Sequence, residues 1–417
     1  MKHYNLVVVG GGLTGVAAAV GAARQNLNVL LIEATGCLGG AMSHALVYPF
    51  MPYHTENEDG SRRKLLSGGI FAEMCERHKV AGGVSERGWQ PEIFKIILDE
   101  MVEESGADIL FHTKLIDVVN NGRRIEAVKV SGKSGVKEIS ADFFIDATGD
   151  GDLMAFSGCD YQLGREKDSL CQPMTTCFRM SGVDIKRFKE EFSTLQKAYK
   201  EAQEKGNIVN PRENILVFYG IGNDILHLNT TRVIKHNPVD DTELSRAEIA
   251  ARRQVLEMYD FLRKNSESCK NSVICSIGSE TGVRESRKLK GVHILKADEL
   301  INLVDFDDSV AVGCYPIDIH NPEGTGTYMH HFKAGEYYKI PYRSLLPKEK
   351  DNLLVAGRCL SAEHEAHSAV RIMPICACLG EAAGIAVAEA KRTDKNMHTI
   401  DIAEVQKILV KNGAIIK

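Results

Sequence analysis

The sequence has no long apolar run and no excess of positive charge, and each absence excludes a class of protein. No apolar stretch in the 417 residues reaches the length of about 18 residues that a transmembrane helix needs, so we expect no membrane partner. The formal net charge of −5 argues against a polybasic surface that binds nucleic acid or acidic membranes. A small-molecule partner is therefore expected, and self-association into a homo-oligomer is left open.

Cysteine occurs eleven times, but no two cysteines have the C-x-x-C spacing. Without a C-x-x-C or a cysteine cluster, the sequence predicts no disulfide framework and no iron–sulfur centre. No metal site is predicted either, because His364 and His367 have no third ligand at a suitable spacing. The apolar start of the chain is short, runs into glycines and precedes no small-residue cleavage site. Scattered, reduced thiols without an export signal predict a cytoplasmic protein.

The strongest signal lies in the first forty residues, "YNLVVVGGGLTGVAAAVGAARQNLNVLLIEATGCLGGAMS". An apolar strand runs into a G-x-G-x-x-G turn, a helix of small residues follows, and a second strand ends on Glu33. Gly10 permits the tight turn, Gly12 lets the backbone approach a pyrophosphate, and Gly15 lets the helix pack on the strand. Glu33 comes eighteen residues after Gly15, where a carboxylate accepts from a ribose hydroxyl and repels a 2′-phosphate. The segment predicts a dinucleotide-binding βαβ unit.

Three later segments extend this pattern. "GCLGGAMS" places a glycine pair just after Glu33, "ADFFIDATGDGD" joins a strand to an Ala-Thr-Gly turn, and "DNLLVAGR" ends a strand at Gly357 and Arg358. Together with the first motif, these segments resemble the FAD-dependent oxidoreductases of the glutathione-reductase type, which have two dinucleotide domains. Within them the chain is similar to a broad bacterial group related to the fumarate-reductase and thiazole-biosynthesis branch. Those relatives carry an acid where this chain has Arg358.

The resemblance implies non-covalently bound FAD and identifies its contact residues. Relatives with covalent FAD carry the linking histidine before the glycine pair, whereas His44 follows it here. The positions that match the family's cofactor contacts are Gly10, Gly12, Leu13, Thr14, Gly15, Glu33, Ala34, Gly39, Gly40, Ser43, Ala147, Thr148, Gly149, Gly357, Arg358 and Pro374.

The predicted fold is α/β: a Rossmann-like FAD-binding domain, made of a doubly wound parallel sheet and a β-meander, with an inserted α+β substrate or cap domain. Residues 1–160 and 341–417 are assigned to a discontinuous FAD-binding domain, and residues 161–340 to the insert. Turn signals at 121–122 and 132–135 predict the three strands of the meander. In the insert, apolar periodicity predicts a helix over 244–265 with Ser245 as its N-cap.

Candidates for the chemistry lie near the start of an apolar helix that follows "AEHEAHSAVRIMP" and in the insert. By resemblance, Arg371 matches an active-site arginine that fumarate-reductase relatives place before this helix. His364 and His367 are candidates for proton transfer, because a histidine titrates near neutral pH. Arg284 in "GVRESRKLKG" and His227 in "HLNTTR" are candidate substrate contacts, and for Arg284 an Arg–Glu pair that fixes the loop is the structural alternative.

The predicted function is an FAD-dependent oxidoreductase that acts on a small molecule by hydride or electron transfer at the flavin. No second G-x-G-x-x-G follows a strand, so no built-in NAD(P) domain is expected. A flavin-carrying electron-transfer subunit of a larger complex is the alternative. A disulfide reductase is excluded because Cys37 has no second cysteine within five residues, and the single tryptophan argues against the tryptophan-bearing halogenase pattern.

Overall fold

The computed structural model describes residues 3–56, 63–85 and 88–417. Among these residues the strands are β1 (Tyr4–Val9), β2 (Val29–Ile32), β3 (His54–Glu56), β4 (Arg63–Leu65), β5 (Val84–Ser85), β6 (Gly88–Trp89), β7 (Asp108–Leu110), β8 (Lys114–Asn121), β9 (Arg124–Gly132), β10 (Gly135–Asp146), β11 (Tyr161–Leu163), β12 (Phe178–Ser181), β13 (Val217–Phe218), β14 (Leu226–Leu228), β15 (Val273–Ile277), β16 (Arg287–Leu289), β17 (Ser309–Gly313), β18 (Ile317–His320), β19 (Thr327–His330), β20 (Tyr338–Pro341) and β21 (Leu353–Val355). The helices of the same residues are α1 (Leu13–Ala23), α2 (Gly69–Val80), α3 (Pro91–Ser105), α4 (Asp152–Phe156), α5 (Ile185–Glu204), α6 (Asp241–Asn265), α7 (Ala297–Ile301), α8 (His364–Val370), α9 (Met373–Thr393) and α10 (Ile402–Lys411).

The apolar strands from both ends of the chain form one parallel sheet in the order β7-β2-β1-β10-β21. Strands β1, β2 and β21 are buried along almost their whole length, as is typical of a parallel sheet covered on both faces. The α/β class is therefore confirmed. Because these strands are parallel, their carboxyl ends meet at one edge, at Val9, Ile32, Asp146 and Val355.

Strand β10 joins the parallel sheet to the meander. Its residues 135–140 pair antiparallel with β9, which pairs with β8, and its residues 141–146 pair in parallel with β1. The two turns lie where the sequence predicts them, because glycine adopts the positive φ that each turn needs at Gly122 and Gly135.

Helix α9 packs closely on α1 through glycines. A Cβ on Gly380 would lie 2.0 Å from the carbonyl oxygen of Thr14, and one on Gly384 would lie 2.3 Å from that of Ala18. By length and composition, α9 is the one helix of the described residues that could cross a membrane, but 94% of that stretch is buried inside the protein. Its position identifies α9 as a core helix.

The insert contains a separate four-stranded sheet in the order β13-β14-β12-β15, with its own apolar core against α5 and α6. The predicted N-cap of α6 is wrong. Helix α6 begins one turn earlier, where the Asp240 carboxylate accepts from the backbone N–H of Glu243. Ser245 lies inside the helix and donates to the carbonyl of Asp241. A carboxylate is the stronger cap because it also complements the positive end of the helix dipole.

Residues 295–340 contribute apolar side chains to the core of the parallel sheet. Leu295, Phe306, Val310 and Ile340 belong to the same apolar core as α1 and α9. The predicted domain boundary at residues 340 and 341 stays a prediction.

Candidate active site

A cavity of about 740 Å³ lies at the carboxyl edge of the parallel sheet. Its wall combines the ends of β1, β2 and β10 with residues of the insert and of the β18–β19 hairpin. Ligands of open α/β sheets bind at this edge, and the volume lies in the range of small-molecule and cofactor sites.

The glycines of the first turn serve two different purposes. A Cβ on Gly10 would lie 2.4 Å from the carbonyl oxygen of Ala147, and one on Gly15 would lie 1.8 Å from that of Gly10, so packing alone requires both glycines. Gly12 has an ordinary φ of −65°, and a Cβ there would meet no protein atom nearer than Gly40 Cα at 3.9 Å. The missing side chain at Gly12 leaves open space against the N terminus of α1, where a phosphate is favoured.

Glu33 lines the cavity and also holds the turn in place. One carboxylate oxygen accepts from the backbone N–H of Gly11 at 2.7 Å. The other accepts from both the N–H and the hydroxyl of Thr35, each at 2.7 Å. The predicted contact with a ribose hydroxyl would therefore use the remaining acceptor capacity of a fixed carboxylate.

The Ala-Thr-Gly turn is held by Asp146, a fully buried residue that the sequence reasoning missed. Its carboxylate accepts from the N–H and hydroxyl of Thr148 and from the N–H of Met154. Burial raises the pKa of Asp146, and these hydrogen bonds oppose that shift. The sequence signal that could have identified Asp146 is its position at the end of β10, directly before the Ala-Thr-Gly turn.

Most of the predicted cofactor contacts line the cavity: Gly10, Gly12, Leu13, Thr14, Glu33, Ala34, Gly39, Gly40, Ala147, Thr148, Gly149 and Arg358. The other four predicted contacts, Gly15, Ser43, Gly357 and Pro374, are not among the lining residues. Gly15 packs as described, and the hydroxyl of Ser43 donates to the carbonyl of Leu38 at 2.6 Å. A Cβ on Gly357 would lie 2.5 Å from Thr14 Oγ1, and Pro374 lies in the first turn of α9.

Arg358, the departure from the family pattern, has a carboxylate partner in the structure. Its Nη2 donates to Asp150 Oδ1 at 2.8 Å, and its Nη1 donates to the hydroxyl of Ser286 at 2.9 Å. The guanidinium lies beside Gly149 in the cavity wall. Its charge is therefore balanced locally by the acid of the "ATGDGD" segment.

The structure places His364 and His367 behind the cavity wall. His364 Nδ1 lies 2.8 Å from a carboxylate oxygen of Glu285, which also pairs with Lys288. His367 Nε2 lies 2.8 Å from the carbonyl oxygen of Arg358, and burial holds the pKa of His367 well below its ordinary value. Neither ring lines the cavity, and the proton-transfer role of these two histidines stays a prediction.

His227 is likewise buried rather than in contact with the cavity. It lies on β14 opposite Arg179 of β12, and the rings of Tyr48 and Phe218, which line the cavity, pack against it. Burial, followed by the charge of Arg179, lowers the pKa of His227 to about 3. The substrate contact predicted for His227 stays a prediction.

Arg284 and Arg371, both predicted, line the same part of the cavity together with Arg212, which was missed. Arg284 donates to the carbonyl of Pro173 at 2.6 Å, and Arg371 makes a long 3.4 Å bond to the side chain of Gln172. Burial, followed by the charges of Arg371 and Arg212, lowers the pKa of Arg284 to about 9. We call these three residues the arginine end of the cavity.

Three further polar residues face the arginine end. Asp318 accepts from the hydroxyl of Tyr315 at 2.8 Å and lies 3.4 Å from His320. Burial opposes ionisation of Asp318, but contacts with His320, Arg371 and Tyr315 outweigh it and lower its pKa. Burial, followed by the charge of Arg284, lowers the pKa of His320 to about 3, so its ring is neutral. No motif marks these residues, because residues 315–320 are distant in sequence from all three arginines.

The family model described as FAD dependent oxidoreductase matches residues 5–409. The chain belongs to this family. The match covers nearly the whole length of this FAD-dependent oxidoreductase.

Several solved structures are also similar to this oxidoreductase. One is a geranylgeranyl bacteriochlorophyll reductase-like protein from Thermoplasma acidophilum, with 13% identity, a TM-score of 0.47, and coverage of 99% of this chain and 85% of that one. Another is the flavin-dependent brominase Bmp2, with 12% identity, a TM-score of 0.46, and coverage of 98% and 83%. A third is p-nitrophenol 4-monooxygenase PnpA from Pseudomonas putida DLL-E4, with 8% identity, a TM-score of 0.44, and coverage of 99% and 84%. None of these similarities bears on the substrate.

The residues of the oxidoreductase fit FAD. The open space at Gly12 has no explanation in the protein's own packing, and the N-cap of α1 has no side chain of its own to satisfy the first N–H groups. Glu33 and Gly40 line the same wall. These features suit a diphosphate with an attached ribose.

Proposed function

We propose that the protein binds FAD non-covalently and oxidises or reduces a small molecule at the arginine end of the cavity, without an NAD(P) domain of its own. The observation that carries this proposal is the continuity of the cavity. The same space is lined by the glycine turn at Gly12 and by the side chains of Arg284 and Arg371. A dinucleotide and a second, smaller ligand would therefore share one enclosure.

The residues that would hold FAD are the glycine turn, Glu33, the Gly39–Gly40 pair and the Ala147–Gly149 turn. His44 lines the cavity, but its Nε2 already lies 2.8 Å from the hydroxyl of Thr35, which supports non-covalent binding. FAD, when bound, supplies the exchange of electrons with the substrate, while the protein supplies binding and orientation.

The chain's own residues at the arginine end would bind and orient the substrate. Arg371 precedes α9, and residues Ile372, Met373 and Cys376 of this segment also line the cavity. The hydroxyl of Tyr315, held by Asp318, is a group that can hold a proton next to the substrate. His320, with its lowered pKa, acts at neutral pH as a neutral ring that positions Asp318.

The arginine end also favours an enzyme over an electron-transfer subunit. A subunit that only passes electrons needs no enclosed group of guanidiniums, whereas such groups in a cavity have the composition of a ligand site. A small-molecule substrate, rather than nucleic acid or a membrane, is part of the same proposal.

The purified protein should be yellow, with flavin released by acid denaturation. The holoprotein would be mixed anaerobically with a panel of metabolites, and bleaching of the flavin bands would identify a reducing substrate. Photoreduced protein would then be exposed separately to oxygen, organic acceptors and NAD(P)H. A colourless protein that takes up no FAD would overturn the proposal, and reoxidation by protein partners alone would favour the transfer subunit.

A further inference from the structure

The arginine end has more positive charge than the part of the chain that the structure describes neutralises. Glu213 forms an ion pair at 2.5 Å with the buried Arg232 and lies 4.0 Å from Arg212, so this carboxylate is already matched. Asp318 is then the carboxylate that faces Arg284 and Arg371. Among the described residues, three guanidiniums against one carboxylate leave an excess of two positive charges, since the His320 ring is neutral.

The hydrogen bonding of this end is also incomplete. The Nε of Arg371 is buried and has no hydrogen-bond partner among the described residues, and the same is true of the side-chain nitrogen of Gln172 beside it. Buried polar groups of native proteins are nearly always paired, and an unpaired group at a cavity indicates a missing ligand or water. Both observations therefore point to an acceptor that the protein does not supply.

We propose that the arginine end binds the carboxylate of a small organic acid, with Arg212, Arg284 and Arg371 as its clamp. This inference rests on the proposed function and names the substrate class that the function leaves open. Guanidinium forks bind planar carboxylates in a bidentate manner, which fixes orientation as well as charge.

Carboxylate and phosphate share this chemistry, and the rest of the wall favours the organic acid. Apolar side chains border the arginine end, among them Leu216, Met329 and Ile372. The carbon skeleton of an organic acid would cover this apolar surface, whereas inorganic phosphate would leave it bare. Asp318 would repel a second negative group placed beside it, so it limits how the acid can lie.

The test uses the flavin-containing protein and malonate as a probe. Binding would be followed by the change in the visible flavin spectrum and by the thermal unfolding midpoint, with malonamide as the neutral isostere and inorganic phosphate as the tetrahedral anion. We expect saturable malonate binding, no response to malonamide, and phosphate binding weaker by about tenfold or more.

Variants locate the binding site. Arg212→Met and Arg371→Met should each weaken malonate binding by about tenfold or more. Arg371→Lys should weaken malonate binding less than Arg371→Met does, because the positive charge remains. Arg246→Met, on the exposed side of α6, is the matched control and should bind malonate as the unmodified protein does. Flavin content should stay unchanged in all four variants.

Each other result overturns the inference. Equal binding of malonamide removes the charge argument, tighter binding of phosphate makes this a phosphate site, and loss of flavin in Arg371→Met or Arg212→Met makes the arginines cofactor ligands. No binding of malonate in the yellow protein also overturns it. Failure of the proposed function is distinguishable, because the thermal shift with malonate can be measured even in protein that proves to bind no flavin.

Discussion

At the scale of single residues, Gly12 and Gly15 stand three positions apart in one turn, yet only Gly12 has room for a side chain. Gly12→Ala should leave the stability of the flavin-free protein unchanged and reduce FAD uptake by about tenfold or more, because the new methyl group would occupy the cofactor's space. Flavin absorbance after reconstitution and thermal unfolding of the apoprotein measure the two effects.

Gly15→Ala is the matched control for this substitution. Its Cβ would lie 1.8 Å from the carbonyl oxygen of Gly10, so it should destabilise the apoprotein itself. If Gly12→Ala bound FAD as well as the unmodified protein, the interpretation of the open space would be wrong.

Glu381 of α9 predicts a pH dependence of stability. Its side chain is buried, one oxygen accepts from the N–H of Ile70, and the other has no partner among the described residues. Burial raises the pKa of Glu381 from its ordinary value of 4.5 to about 7. Between these two pH values the folded state keeps a proton that the unfolded state has lost, so this group's contribution to stability falls as the pH rises.

Glu381→Gln should remove this dependence. At roughly 1.4 kcal/mol per pKa unit, the variant should gain up to about 3 kcal/mol over the unmodified protein as the pH goes from 5 to 8. Denaturant unfolding across this range measures the difference. Glu76→Gln, at an exposed position on α2, should leave the profile unchanged, and a constant gap between Glu381→Gln and the unmodified protein would contradict the assignment.

At the scale of elements, the β18–β19 hairpin contributes Asp318, Thr327 and Met329 to the cavity and is fastened to the insert by Arg232. Arg232 donates to the carbonyl of Gly326 at 2.9 Å and pairs with Glu213, which also accepts from the hydroxyl of Thr327.

Arg232→Met should therefore loosen the hairpin, because it removes a buried donor and leaves Glu213 without this partner. Hydrogen exchange should become faster at the amides of β19 while those of β1 keep their rates. The control is Arg246→Met, with unchanged exchange throughout. Uniformly faster exchange in Arg232→Met would indicate general destabilisation rather than a local fastening.

Elements with a local signal were predictable, and those defined by distant contacts were not. The glycine turn, α9 and the meander could be predicted from residue spacing, because tight turns and apolar periodicity depend on residues that are close in sequence. Helix α6 was predicted, but its start was not, because both Ser245 and Asp240 are good caps and only the folded chain decides between them. The polar segment around His364 and His367 gives no sign that these side chains are buried. In the structure, His364 forms a buried contact with Glu285, which lies 79 residues away in the sequence.

At the scale of the whole molecule, the arginine end could not be read from the sequence. Arg212, Arg284 and Arg371 lie on three separate segments, and no spacing relates them. Most of the predicted cofactor contacts lie on the cavity wall, because one continuous motif and three strand ends supply them. The contribution of residues 295–340 to the core of the parallel sheet has no signal in the sequence, because these residues follow the insert without a compositional break.

The cavity joins two separately packed cores, and this predicts how FAD acts on the whole chain. Its wall includes the glycine turn after β1 and also Leu216, Phe218 and Asn229 next to the sheet of the insert. A ligand that binds only the folded state at 100 times its Kd adds about 2.7 kcal/mol of stability. We expect FAD to slow hydrogen exchange in both β1 and β14, and to raise a single thermal transition.

The flavin-deficient Gly12→Ala protein distinguishes protection by bound FAD from a non-specific effect of added FAD. In this variant, added FAD should change the hydrogen-exchange rates of neither β1 nor β14. If FAD protected β1 in the unmodified protein while β14 exchanged at its former rate, the insert would not be held by the cofactor. The two cores would then unfold independently, and the continuity of the cavity would not couple them. Protection of both strands, lost together in Gly12→Ala, is the result that the shared wall requires.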